Sequence, residues 1–173
     1  MAFLCIIEVL EGKIMKIAIY PGSFDPITKG HLDVLETGAE IFDKVIIAVA
    51  KNSAKHGFLT IDERVSLIRE ACAHLSNVEV DAFEGLTINY AKEKGATVLL
   101  RGLRAVSDFE YEMQLSQNNS ALNNNIKTIF LITKPEYNFI SSSSVREILL
   151  NGGDIAQFVP ENVKKYLEQK FTN

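Results

Sequence analysis

The sequence predicts a doubly wound α/β fold built on a five-stranded parallel sheet with strand order 3-2-1-4-5. Three observations predict it. Short apolar runs alternate with stretches of helical periodicity along the chain. Several runs are continuous and rich in β-branched residues, as strands covered on both faces are. A chain of 173 residues with 47% hydrophobic composition suits one compact domain with a sizeable core.

The elements follow in order. Lys16–Tyr20 (KIAIY) is a short strand that stops at Pro21-Gly22. Lys29–Phe42 has helical spacing, with Leu32, Leu35, Ala39 and Phe42 on one face. Val45–Ala50 (VIIAVA) is a second, fully buried strand. Thr60-Ile61-Asp62-Glu63 reads as a capping box that opens a helix to about Ala73. Val78–Val80 is a weaker strand, and Thr87–Lys94 a helix broken by Gly95. Thr97–Arg101 (TVLLR) is the fourth strand, followed by a Gly102 turn and a long helix over Ser107–Leu122. Asn118–Asn125 reads as a helix end and loop, and Lys127–Thr133 (KTIFLIT) is the fifth strand. Ser144-Val145-Arg146-Glu147 reads as a second capping box, for a helix ending at Asn151-Gly152-Gly153. Pro160 suits the first position of a last helix, Glu161–Phe171. The arrangement is Rossmann-like.

A net charge of −4 argues against broad binding to nucleic acid or to an anionic membrane, while leaving room for a local basic pocket. No apolar run reaches the roughly eighteen residues that a spanning helix needs. The two cysteines, Cys5 and Cys72, form no C-x-x-C pair and read as free thiols in a reducing, cytoplasmic setting. Residues 1–14 are mostly apolar but lack a basic n-region and an A-x-A cleavage site. They read as an extension from an upstream start, with Met15 opening a single domain over 15–173.

In open α/β sheets ligands bind beyond the carboxyl ends of the strands where the strand order reverses. Here that point lies between the first and fourth strands, so the loops Pro21–His31 and Arg101–Arg104 face it. The first loop lacks G-x-G-x-x-G and G-x-x-x-x-G-K-[ST], so neither the dinucleotide fingerprint nor a P-loop is present. It nevertheless leaves a strand and enters a helix, where free backbone N–H groups favour an anion. Gly30 admits a phosphate close to the backbone, His31 offers a ring N–H and Ser23 a hydroxyl.

Thr28-Lys29-Gly30-His31 fits the T/H-x-G-H signature of the nucleotidyltransferase superfamily. Ile140-Ser141-Ser142-Ser143-Ser144-Val145-Arg146 resembles its I-S-S-T-x-x-R element, with Ser143 where threonine is usual. Arg101 to Gln114 (RGLRAVSDFEYEMQ) strongly resembles the R-G-L-R-x-x-x-D-F-E-Y-E-x-Q stretch of phosphopantetheine adenylyltransferases. The resemblance spans residues 16–171. It implies transfer of an adenylyl group from Mg2+-bound ATP to 4′-phosphopantetheine. Ser23, Lys55 and Arg101 would hold the acceptor phosphate and Thr87 the pantetheine arm, where many relatives carry an apolar residue. The Ser23-Phe24 backbone and His31 would bind ATP phosphates. Gly102, Leu103, Arg104 and Glu112 would line the adenosine side, and Tyr137, Asn138, Phe139, Ile140, Ser141, Ser142 and Ser143 would close over the nucleotide. His31, Lys55 and Arg101 would be the catalytic set. A homohexamer and feedback binding of coenzyme A are also implied.

The chemistry is intelligible in its own right. A phosphate oxygen attacking the α-phosphorus of ATP is already a nucleophile, so the task is positioning and charge stabilisation. Lys55, His31, Arg101, Arg104 and Arg146 supply candidate cationic donors. Bland alternatives stand beside them: Lys55 as a solvated lysine, Arg101 and Arg104 as surface ion-pair partners, Glu110 and Glu112 as helix-surface charges, and the serine run as a helix entrance. His56 and His74 lack ligand-spaced partners. Two rival functions remain: a sibling adenylyltransferase with another phosphate acceptor, and a non-catalytic nucleotide-binding module.

Overall fold

The computed structural model describes residues 15–51 and 57–171. Residues 1–14, with Cys5 and the proposed extension, and residues 52–56, with Lys55 and His56, lie outside the described residues. In chain order the elements are β1 (Ile17–Gly22), α1 (Lys29–Ile41), β2 (Lys44–Lys51), α2 (Ile61–Ala71), β3 (Val78–Glu84) and α3 (Thr87–Glu93). Then come β4 (Val98–Leu103), α4 (Val106–Leu122), β5 (Lys127–Ile132), a 3-10 turn over Pro135–Tyr137, α5 (Ser142–Leu150) and α6 (Glu161–Phe171). All pairings are parallel and the sheet order is β3-β2-β1-β4-β5, as the sequence predicts.

Side chains alternate across a strand, so an apolar run such as β2 feeds two cores at once. Val45, Ile47 and Val49 enter one core, with Val34 and Leu35 of α1, Leu67 and Ile68 of α2, and Val163 and Leu167 of α6. Ile46 and Ala48 enter the other, with Ile88, Tyr90 and Ala91 of α3. Thr60 and Glu63 form the expected capping box, at 3.2 and 2.7 Å. Glu63 also accepts from Tyr166 and Lys170, which fastens α6 to α2. Gly95 ends the third helix region with a φ of +67°, a conformation that glycine adopts without strain.

Three expectations are corrected. The first strand does not stop at Tyr20, because Pro21 and Gly22 still pair with Ala48 and Val49. On its other side β1 pairs with β4 only at Ala18 and Ile19. Beyond them that side is an open edge, where a residue without an N–H is tolerated. The deepest face of α1 is Val34, Leu35 and Gly38, whereas Leu32 and Ala39 are only half-buried. Gly38 brings the helix close to β4, since a Cβ there would stand 2.6 Å from Leu100 Cδ2. The helix at the serine run opens earlier than the Ser144–Glu147 box implies. Its N-cap is Ser141, whose Oγ accepts from Ser144 N at 3.0 Å while Ser144 Oγ accepts from Ser141 N at 3.2 Å. Either serine has the hydroxyl a cap needs, and the competition is decided by where the preceding turn delivers the chain.

Helix α4 is unusual in what it exposes. Phe109, Tyr111, Met113 and Leu122 face solvent, as do Ile129 and Ile132 of the edge strand β5, while Glu112 is buried. Among the described residues no helix is long and apolar enough to cross a membrane.

Candidate active site

Where β1 and β4 part, a cleft of about 560 Å³ opens at their carboxyl ends. Its walls are the loop after β1, the end of β4, the first turns of α4 and the N-terminus of α5. This is the place the strand order marks for a ligand.

The end of β1 and the loop after it are held from several directions. Arg101 Nη1 donates to the Pro21 carbonyl at 2.8 Å, Arg64 Nη1 to Ser23 at 3.2 Å, and Ser142 Oγ to Pro26 at 2.8 Å. Arg146 Nη1 donates to the Asp25 carbonyl. Phe24 has a φ of +46°, a strained conformation for a non-glycine residue that costs on the order of 1–3 kcal/mol. Packing enforces it, because the Phe24 ring sits edge-on to Tyr20 and to His31, with centroids 5.3 and 5.2 Å apart. A Cβ on Gly22 would lie 2.8 Å from that ring, so glycine is required there. At Gly30 an added Cβ would make only ordinary contacts, with Tyr137 Cβ at 3.5 Å. Protein packing does not demand glycine there, and Gly30 lines the cleft.

His31 closes a capping box with Thr28 at the start of α1. Its Nδ1 lies 3.1 Å from the Thr28 N–H and 2.9 Å from Thr28 Oγ1. A backbone N–H can only donate, so Nδ1 is the acceptor and the ring proton sits on Nε2. Burial, then the charges of Arg104 and Arg101, lower its pKa to about 4. His31 is therefore a neutral Nε2–H donor near pH 7, which corrects its place among the cationic donors.

Arg101 and Glu112 form a two-pronged pair, Nε to Oε2 at 2.7 Å and Nη2 to Oε1 at 2.5 Å. Burial opposes the arginine's charge, but Glu112 outweighs it and raises the pKa further. Glu112 is only 8% exposed, so the reading as a helix-surface charge is overturned. Arg104 pairs with Asp108 at 3.2 Å and donates to the Ile140 carbonyl at 2.8 Å, tying α4 to the segment before α5.

Most of the singled-out residues meet at this cleft. Ser23, Phe24 and His31 line it from the first loop, and Arg101, Gly102, Arg104 and Glu112 from the opposite side. Ile140, Ser141, Ser142 and Ser143 complete the rim. Leu103, Tyr137, Asn138 and Phe139 do not line it; Asn138 Oδ1 accepts from Thr133 Oγ1 at 2.9 Å, and Phe139 is exposed. Thr87 opens α3 and also lies off the cleft wall. Lys55 lies outside the described residues. Tyr20, Thr133 and Tyr111 line the cleft without having been singled out. Thr133 sits just past the end of β5 and Tyr20 just past the point where β1 leaves β4, positions that the topology rule alone marks.

Residues 19–148 match the cytidylyltransferase-like family model. The chain is 52% identical to the phosphopantetheine adenylyltransferase of Carboxydothermus hydrogenoformans, covering 91% of this chain and 97% of that one. It is 56% identical to the enzyme of that name from a Cyanothece species, covering 90% and 92%. The chain belongs to the phosphopantetheine adenylyltransferase family. A Vibrio parahaemolyticus structure ascribed to a nicotinate-nucleotide adenylyltransferase superposes with a TM-score of 0.68 at 20% identity, covering 91% of this chain and 93% of that one. That likeness concerns the fold. Within the phosphopantetheine adenylyltransferase family, an enzyme family of nucleotidyltransferases, this cleft is the candidate active site.

Proposed function

We propose that this enzyme transfers the adenylyl group of Mg-ATP to 4′-phosphopantetheine, giving dephospho-coenzyme A and pyrophosphate. The observation that carries the reading is the convergence of His31 Nε2–H, Arg101, Arg104 and the Ser23-Phe24 backbone on one cleft, in a chain 52% identical to a phosphopantetheine adenylyltransferase. Such a set of donors suits phosphate oxygens rather than a bare metal ion. Magnesium enters as part of the substrate, where it neutralises phosphate charge.

In this mechanism Ser23, Lys55 and Arg101 hold the acceptor phosphate, and Thr87 touches the pantetheine arm. The Phe24 N–H and His31 Nε2–H bind ATP phosphates. The adenosine rests against Gly102, Leu103, Arg104 and Glu112, and Tyr137 to Ser143 close over it. A phosphate oxygen of the acceptor forms a bond to the α-phosphorus as the bond to the bridging oxygen breaks in line, and pyrophosphate leaves with the electron pair. No base is required; the residues position two anions and stabilise the charge that builds between them. A neutral His31 donates its Nε2–H to a phosphate oxygen without adding a formal charge to the site.

The resemblance also supports a cytoplasmic homohexamer with feedback binding of coenzyme A. The exposed apolar residues of α4 and β5 are of the kind that contacts between copies cover.

Pyrophosphate release from Mg-ATP, measured with and without 4′-phosphopantetheine, tests the reaction. Acceptor-dependent release is expected, with kcat lowered about 10²-fold in His31→Ala and ATP affinity changed less. Release only with another phosphate acceptor would move the reading to a sibling enzyme; ATP binding with no release would move it to a nucleotide-binding module.

A further inference from the structure

Arg64, on α2, has no part in the mechanism above, yet it is 7% exposed. Charged side chains are rarely buried so deeply without partners. Here the partners belong to two loops. Nε and Nη2 donate to the Leu59 carbonyl at 2.9 and 2.6 Å, Nη1 donates to the Ser23 carbonyl, and Nη2 lies 3.2 Å from Asp25 Oδ2. Asp25, itself 8% exposed, accepts the backbone N–H groups of Phe58 and Leu59 at 2.8 and 2.9 Å. Gly57 leaves room for the guanidinium, since a Cβ there would fall 1.6 Å from Nη2.

A buried ion pair returns little net stability, because desolvation offsets the attraction. What the planar fork adds over an apolar side chain is direction: several acceptors fixed at once. The Ser23 carbonyl and the Phe24 N–H belong to one peptide plane and point opposite ways in the trans form. Holding the carbonyl therefore aims the N–H away from Arg64. Phe24 is also the strained residue of the loop, which needs surroundings that over-determine it.

We infer that Arg64 is a positioning residue for adenylyl transfer: with Asp25 it locks the Ser23-Phe24 peptide, and so aims the Phe24 N–H that receives phosphate. The inference rests on the proposed reading of the cleft. Arg64 does not line the cleft and acts through Ser23.

The test compares R64K, which keeps a cation beside Asp25, with R64A assayed with and without added guanidinium. At temperatures where both are folded, kcat is expected to fall about 10²-fold, with the KM for ATP changing by less than about threefold. Guanidinium restores part of the kcat of R64A and none of that of R64K. The Phe24 N–H resonance shifts in both variants, while α6 keeps its amide-exchange protection. A kcat within about threefold of wild type in the folded variants overturns the inference, as does a loss that guanidinium leaves untouched. If neither variant folds, the pair serves the fold rather than the loop, and the inference fails. If the wild type releases no pyrophosphate with any phosphate acceptor, the reading of the cleft fails instead. The Phe24 N–H resonance in R64K then still decides whether Arg64 locks the loop.

Discussion

His31 shows how little a residue's type says about its charge. Its Nδ1 is spent on Thr28, and burial with Arg104 and Arg101 lowers its pKa to about 4. An unfolded chain takes up a proton at His31 near its ordinary value of 6.5. Between those values the unfolded state binds the extra proton, so falling pH favours unfolding there. The contribution is intact above 6.5 and is lost as pH drops towards 4. A nuclear magnetic resonance titration of the His31 ring is expected to show a midpoint near 4; a midpoint near 6.5 would sink the neutral-donor reading. Wild-type stability measured against His31→Gln should fall relative to the variant across the same window. At Glu112 the lesson repeats. The sequence offered a surface acid, but the fold turns it inward because the Arg101 cation beside it needs a counter-charge.

At the scale of elements, the site depends on how closely β4 and α1 approach. Gly102 faces Val34, and an added Cβ would stand 2.9 Å from Val34 Cγ2, a stiff β-branched group within the core. Gly102→Ala is expected to cost about 1–3 kcal/mol, measured by denaturant unfolding. It should also displace Arg101, its neighbour, and Arg104, two residues on, and lower kcat/KM. A variant as stable and as active as wild type would show that β4 has slack at this point. Helix α5 makes the related point about signals that compete. With four serines in a row, the sequence names a helix start but cannot say which hydroxyl caps it; the bonds of Ser142 to Pro26 O and Arg146 to Asp25 O fix the answer from outside the helix.

For the whole molecule, Phe109, Met113, Leu122, Ile129 and Ile132 are exposed, and the proposed homohexamer would cover such residues. Sedimentation is expected to give a native mass of six chains, and Ile132→Lys to shift it to smaller species with unchanged circular dichroism. A wild type that sediments as a single chain would end the hexamer proposal. The sequence by itself determined the strand order, the two switch-point loops and the family. Periodicity and local signatures are written in short stretches of chain, and topology rules convert them into one architecture. Only the tertiary structure decided the charge of His31, the pairing of Arg101 with Glu112, the continuation of β1 through Pro21-Gly22, and the burial of Arg64 and Asp25. Each of these depends on groups distant in sequence, such as Arg64 and Ser23, that share a low-dielectric space only after the chain has folded.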